Sequence, residues 1–286
     1  MTGSQFGLGR LHADNVTLRY DERTISRNLS VAVPDGSFTV IVGPNACGKS
    51  TLLRALSRLL VPASGQVILD SRSISDLSAK DVARRLGLLP QSSIAPEGIA
   101  VADLVARGRY PHQSFFRQWS KADEESVIAA MEATRVTDLS GRLVDELSGG
   151  QRQRVWIAMV LAQETPILLL DEPTTFLDIA HQIELMDLLA ELNRQGRTIV
   201  AVLHDLNHAC RYASHLIAMK DGAIVAEGNP SAIVTERLVK DVFGLPSVII
   251  PDPVSNTPLI VPKGRQVAPV VHLDTSARAG KERHRD

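Results

Sequence analysis

The stretch Gly43-Pro44-Asn45-Ala46-Cys47-Gly48-Lys49-Ser50 constrains this chain more than any other. It fits the pattern G-x-x-x-x-G-K-[ST], and its setting matters as much as the match. The apolar run Phe38 to Val42 precedes it, and Leu52, Leu53, Leu56, Leu59 and Leu60 recur after it at helical spacing. Strand, loop and helix in that order aim backbone N–H groups and the positive end of a helix at one point, which makes a cradle for phosphate. Lys49 then supplies a point charge to the β- and γ-phosphates, and Ser50 a hydroxyl to Mg²⁺. Cys47, inside the loop, reads either as a low-pKa thiol at a helix N-terminus or as a small space-filling side chain. The second reading is the simpler, and the chain is still expected to be sensitive to thiol reagents.

A second run, Ile167 to Leu170, ends in Asp171-Glu172. An aspartate at a strand end supplies the further Mg²⁺ contact that a phosphate loop needs, and a glutamate beside it can activate water. His204 closes a third run, Thr198 to Leu203, at the kind of strand end where ligands gather in parallel sheets. Helices are expected over Ile179 to Leu192 and Asn207 to Tyr212, and a strand over Leu216 to Met219. Lys220-Asp221-Gly222 turns into a strand over Ala223 to Glu227, and a last helix is expected from Ser231 to Phe243. This alternation predicts an α/β sheet. Upstream, Asn15 to Tyr20, Leu29 to Val33 and Gln66 to Asp70 read as strands, with a turn at Pro34-Asp35-Gly36. Ser78 is the expected N-cap of a helix ending near Gly87, and residues 92 to 148 read as a mostly helical, more polar lobe.

Composition narrows the roles. The 286 residues carry a formal net charge of -1, which implies no general attraction to nucleic acid or anionic lipid. No apolar run approaches the ~20 residues that span a bilayer. Met1 to Gln5 lacks a secretory start, and the two cysteines, Cys47 and Cys210, fit a reducing cytoplasm. Any membrane role is therefore expected to come through a partner. The charged tail from about Asp274 is expected to be disordered.

Leu147-Ser148-Gly149-Gly150-Gln151-Arg152-Gln153-Arg154 is a further open helix N-terminus. Ser148 can cap it, and the glycines leave its N–H groups accessible to an anion. Its helix continues through Val155, Trp156, Met159 and Val160, with the apolar face ending near Leu161. Together with the phosphate loop, this string resembles the ABC ATPases over nearly the whole chain. The resemblance implies an α/β P-loop NTPase ABC ATPase core with an antiparallel β subdomain and a helical signature lobe. The domain would cover residues 10–262, with the lobe at about 92–162 and a tail over 263–286. It implies a homodimer of head-to-tail subunits that share two ATP molecules. Each ATP would meet Gly43, Pro44, Asn45, Ala46, Cys47, Gly48, Lys49, Ser50 and Thr51 of one subunit and Ser148, Gly149 and Gly150 of the other. By the same resemblance Tyr20 stacks on adenine, and Gln91 senses Mg²⁺ and the attacking water. Asp171 holds Mg²⁺, Glu172 is the catalytic base, Asp178 communicates across the dimer and His204 is the switch histidine. Many relatives have glycine at the place of Ala46, a modest restriction if φ there is negative.

Three strings resemble one branch, the ATPases of iron(III)-siderophore, haem and cobalamin importers, with siderophore importers nearest. They are Leu104 to His112, Thr174 to Gln182 and Ile250 to Val254. The branch implies a peripheral protein on the cytoplasmic face of the membrane. It would work with a polytopic permease, indirectly with a substrate-binding protein, and with no nucleic acid. Soluble ABC ATPases of DNA repair interrupt the domain with a coiled coil, and none lies between Gln91 and Ser148. The ribosomal type usually carries two phosphate loops, against one here, and exporter ATPases are often fused to membrane helices. Docking on the permease is expected through Gln91 to Trp119, with Arg107 and Arg109 read either as contacts or as support for local packing. Phe115, Phe116 and Trp119 read equally as permease contact or as packing within the lobe.

Overall fold

A computed structural model describes residues 9–113 and 119–264. Two strands begin the chain, β1 (Leu11–Tyr20) and β2 (Arg23–Val33). β3 (Phe38–Val42) leads through the phosphate loop into helix α1 (Lys49–Leu56). β4 (Ser64–Leu69) and the two-residue β5 (Arg72–Ser73) follow, then α2 (Ala79–Ala83) and β6 (Leu86–Leu89). The lobe carries α3 (Val101–Ala106), α4 (Lys121–Ala133) and α5 (Gly149–Ala162). The chain returns through β7 (Ile167–Asp171), α6 (Ile179–Arg194), β8 (Thr198–Val202), α7 (Leu206–Tyr212), β9 (His215–Lys220) and β10 (Ala223–Gly228). It ends in α8 (Pro230–Ile233), α9 (Glu236–Phe243) and the hairpin β11 (Ser247–Pro251) and β12 (Pro258–Pro262).

The central sheet runs β10-β9-β3-β8-β7-β6, all parallel except the β10 edge. A second, antiparallel sheet runs β2-β1-β4-β5. Every residue of β3, β7 and β8 is buried, as expected of parallel strands covered on both faces. Alternate residues divide between two cores. Val40, Val42, Leu168, Leu170 and Ala201 face the lobe and α6, while Ile41, Leu169, Val200 and Val202 face α1 and the antiparallel sheet. The expected α/β core, antiparallel subdomain and helical lobe are therefore all present.

Several local expectations are corrected. The helix capped by Ser78 stops at Ala83, and Gly87 lies within β6, where Thr165 leaves no room for a Cβ. The last helix is two: α8 ends at Ile233, and Thr235 then caps α9 by accepting from the Leu238 N–H. Within the mostly helical lobe, residues 93–100 form no helix; they join it through an Ala100–Leu143 bridge and through the Gly98 N–H, which donates to Asp145 at 3.4 Å. The C-terminal hairpin had no counterpart in the sequence reading. It is held to α7 by Asn207, which accepts from the Ile260 N–H at 2.7 Å, and by an Arg211–Asp252 ion pair at 2.6 Å. That pair, with the N–H groups of Val254 and Ser255, holds the Asp252 carboxyl down at about 2.

Arg109 points inward rather than toward a permease. It is 5% exposed, donates to Asp123 at 2.9 Å, and uses Nη1 to reach both the Ala162 carbonyl and Glu164 at 2.7 Å. It thus ties the segment after α3 to the start of α4 and the end of α5. Arg107 is half-buried, while Tyr110 and Trp119 are 58% and 49% exposed. Phe115 and Phe116, the Met1–Gln5 start and the tail from Arg265, including Asp274, lie outside the described residues. No helix among the described residues is long and apolar enough to cross a membrane.

Candidate functional site

Three adjacent parallel strands deliver the candidate chemistry to one edge of the central sheet. β3 ends at the phosphate loop, β8 is followed by His204, and β7 ends at Asp171 with Glu172 next. The register pairs Asp171 with Val202, so the acidic and histidine ends lie side by side. An open cleft of about 530 Å³ results, lined by Asn45, Ala46, Gly48 to Thr51, Gln91, Glu172 and His204.

The loop is tightly built. A Cβ on Gly43 would lie 2.3 Å from the Met219 carbonyl oxygen, so only glycine fits there. Gly48 precedes α1 at φ +107°, a conformation that L side chains rarely adopt. Ala46 has φ +60°, so the condition for a modest restriction is not met: its methyl group stands in the left-handed region at a cost of about 1 kcal/mol relative to glycine. Cys47 is 5% exposed, and burial pushes its thiol up although Lys49 pulls it down. Its burial and the upward shift support the space-filling reading over a low-pKa thiol. Lys49 is 5% exposed, and its ammonium donates to the Gly43 and Pro44 carbonyls at 2.9 Å each. No carboxylate pairs with it among the described residues, so its charge stays available to an anion in the cleft.

Asp171 is 3% exposed and accepts from the Ser50 hydroxyl at 2.9 Å. Burial raises its carboxyl above the ordinary aspartate range, the Ser50 bond opposes this, and the neighbouring Glu172 charge adds to it. A carboxylate so destabilised, beside a hydroxyl and a second acid, fits a small hard divalent cation. Glu172 itself sits at φ +54°, an uncommon conformation for a non-glycine residue and one that clusters at functional sites. Its Oε1 lies 2.6 Å from His204 Nε2, and Oε2 accepts from the Thr175 hydroxyl at 3.5 Å. Its side chain is 12% exposed against 49% for His204, so the acid is sheltered and the imidazole is open to the cleft.

Some predicted residues lie apart from this cluster. Ser148, Gly149 and Gly150 do not line the cleft of their own chain. Ser148 caps α5, accepting from the Gln151 N–H while Gln151 Oε1 accepts from the Ser148 N–H. Gly149 lines a second groove of about 340 Å³ with Arg152, Gln153, Trp156, Phe176 and Gln91, so Gln91 borders both hollows. Asp178 caps α6 on the surface. Tyr20 is 38% exposed and accepts from Arg54 at 3.3 Å, while the cleft wall on that side is made by Arg23 and Ile25. Sequence reasoning missed these two. The signal was the two-residue turn Asp21-Glu22, which sets Arg23 opposite Tyr20 in the β1–β2 register.

Comparison with known proteins agrees with this geometry. Residues 26–175 match the ABC transporter family. The ferric enterobactin transport ATP-binding protein FepC of Escherichia coli (strain K12) is 60% identical over 259 residues, covering 90% of this chain and 96% of that protein. A solved structure of an inward-facing putative metal-chelate type ABC transporter superposes with a TM-score of 0.76 at 28% identity, covering 90% of this chain and 98% of that one. A dimeric post-hydrolysis state of the ATP-binding cassette MJ0796, bound to ADP and Pi, superposes with a TM-score of 0.68 at 29% identity, covering 77% and 98%. With its phosphate loop, acidic strand end and capped signature helix in these places, the chain belongs to the ABC transporter family as one of its ATP-binding ATPase subunits.

Proposed function

We propose that this chain is the motor of an importer of iron(III)-siderophore, and that two copies hydrolyse ATP between them on the cytoplasmic face of a separate membrane permease. The observation that carries the ATPase half is the convergence of Lys49, Ser50, Asp171, Glu172 and His204 at one sheet edge. The cargo half rests on the 60% identity to a ferric enterobactin transport protein. Residues 10–262 act as one ATPase domain with the lobe at about 92–162 inside it.

In this reading the phosphates lie over the loop from Gly43 to Thr51, with Lys49 on the β- and γ-oxygens. Ser50 and Asp171 would hold Mg²⁺, with Gln91 beside them; when bound, the ion neutralises phosphate charge. Glu172 accepts a proton from the attacking water as the water oxygen bonds to the γ-phosphorus, while the bond from that phosphorus to the β–γ bridging oxygen breaks and ADP leaves. His204, held 2.6 Å from that carboxylate, faces the γ-phosphate. Tyr20 packs against the adenine. Because Ser148, Gly149 and Gly150 lie outside their own cleft, they serve the partner's ATP, with Asp178 nearby across the same boundary.

Composite sites have a measurable signature. Lys49→Ala should weaken nucleotide binding, and Gly149→Asp should leave binding while blocking closure. In a dimer mixed from the two, one site carries both defects and the other carries neither. ATPase activity should partly return on mixing, and verified mixed dimers without activity would count against independent composite sites. For the cargo, a deletion strain should grow poorly on ferric siderophore as sole iron source and normally on plentiful free iron. Unchanged siderophore-iron uptake in a strain with no second transporter would move the cargo to haem or cobalamin.

A further inference from the structure

The carboxylate that opens α6 is used asymmetrically. Asp178 Oδ1 takes two bonds from one residue, the His181 backbone N–H at 2.9 Å and the His181 ring Nδ1 at 2.8 Å. Oδ2 has no hydrogen-bond partner among the described residues. A carboxylate only accepts, so the ring carries its proton on Nδ1. Together the backbone bond and the ring bond hold the Asp178 carboxyl below the ordinary aspartate range.

Histidine is an odd choice at this place. The third residue of α4 is Asp123 and that of α5 is Gln151, and each reaches back to the backbone N–H of its capping serine. Both complete the usual reciprocal cap. In α6 the third residue reaches the side chain of the cap instead. A ring that can become cationic is also disfavoured at the positive end of a helix. The helix therefore gains little from His181 as helix, and what the ring secures is the orientation of the carboxylate. Without it, the Asp178 side chain, 67% exposed, would keep one bond and could turn about it. In sequence Asp178 stands two residues after Phe176, 75% exposed at φ +68°, and one before Ile179, 78% exposed, so exposed apolar residues lie on either side of it along the chain. Among the other charged groups around the ring, Arg135 pairs with Glu184, Asp187 accepts from Tyr212, and Arg154, whose buried Nε has no partner among the described residues, lines the same hollow as the ring.

We propose that His181 is a positioning residue for Asp178, occupying Oδ1 so that Oδ2 is presented to the nucleotide site of a second copy of this chain. The inference rests on the reading of Asp178 as the residue that communicates across the dimer.

The test uses the purified full chain and steady-state ATP hydrolysis. His181→Leu keeps the bulk and removes the donor. His181→Asn puts an amide N–H at the position of Nδ1. Asp178→Ser keeps a capping oxygen and removes the carboxylate. His181→Leu should lower kcat about tenfold, the scale of one charge-assisted hydrogen bond, with KM for ATP and Tm near their original values. His181→Asn should restore most of the loss, and the double variant with Asp178→Ser should be no slower than Asp178→Ser alone. If Asp178→Ser is slow and His181→Leu is normal, positioning by His181 is overturned while the reading of Asp178 stands. If Asp178→Ser itself turns over normally, the reading of Asp178 fails and the proposal with it. A loss in His181→Leu that Asn does not restore, or that follows Tm, assigns the histidine to the helix cap and overturns the proposal.

Discussion

Glu172→Gln should bind ATP as tightly as the original protein and hydrolyse it roughly 10²–10⁴-fold more slowly, the usual contribution of a general base. The amide keeps the size of the carboxylate and can still accept from His204, so the 2.6 Å contact and the backbone at φ +54° need not change. What it loses is the ability to take a proton from water. The groups proposed to bind are elsewhere: Lys49 belongs to the loop and Asp171 is bonded to Ser50. Binding and chemistry should therefore separate cleanly in nucleotide titrations beside single-turnover hydrolysis. A Glu172→Gln protein with normal turnover would remove the base from Glu172, and His204 would be the next group to examine.

Arg109→Met should destabilise the fold by about 3–5 kcal/mol, the range for breaking a buried ion pair from one side. The arginine and Asp123 have side chains only 7% and 6% exposed, and a thioether in place of the guanidinium would leave that carboxylate without its cation. The Ala162 carbonyl and Glu164 would lose their donor as well. For a domain of this size the thermal midpoint should fall by about 10 °C. Denaturant unfolding would check it, and a loss below about 1 kcal/mol would mean that the cluster is open to water. The same result decides how docking should be probed. A charge change at Arg109 would damage the lobe whether or not a permease is present, so the exposed Tyr110 and the half-buried Arg107 are the better sites.

The sequence was most legible where physics leaves one solution. β3, β7 and β8 are covered on both faces, so their residues are apolar without interruption and stand out as runs. The groups proposed at their ends were sought from what phosphate and Mg²⁺ would require of side chains. Legibility fell where neighbours far along the chain decide. The first half of β2 is polar because it is an edge strand, and no strand was assigned to it. The hairpin of β11 and β12 is bounded by prolines and held by side chains of α7, which no local pattern announces. α8 and α9 are divided by the capping of Thr235, although apolar spacing continues across the break. The effect of Ala46 stayed open because the sign of φ is not written in the residue. Arg109 stayed open between permease contact and local packing, since burial of an arginine depends on acids 14 and 55 positions away.

The order of the central sheet also bears on how the protein is made. β3 is translated early, yet its sheet neighbours are β8 and β9, which begin at residues 198 and 215. The antiparallel sheet of β1, β2, β4 and β5 can assemble from the first 73 residues, but it covers only one face of β3. On the ribosome, the apolar strand and its nucleotide loop must wait for more than a hundred further residues before the edges of β3 are paired. Closing so long a loop is slow, and the waiting strand exposes both edges to other chains. ATP affinity should consequently appear late and all at once during synthesis, and nascent chains that stop before β8 are the ones that need chaperone cover.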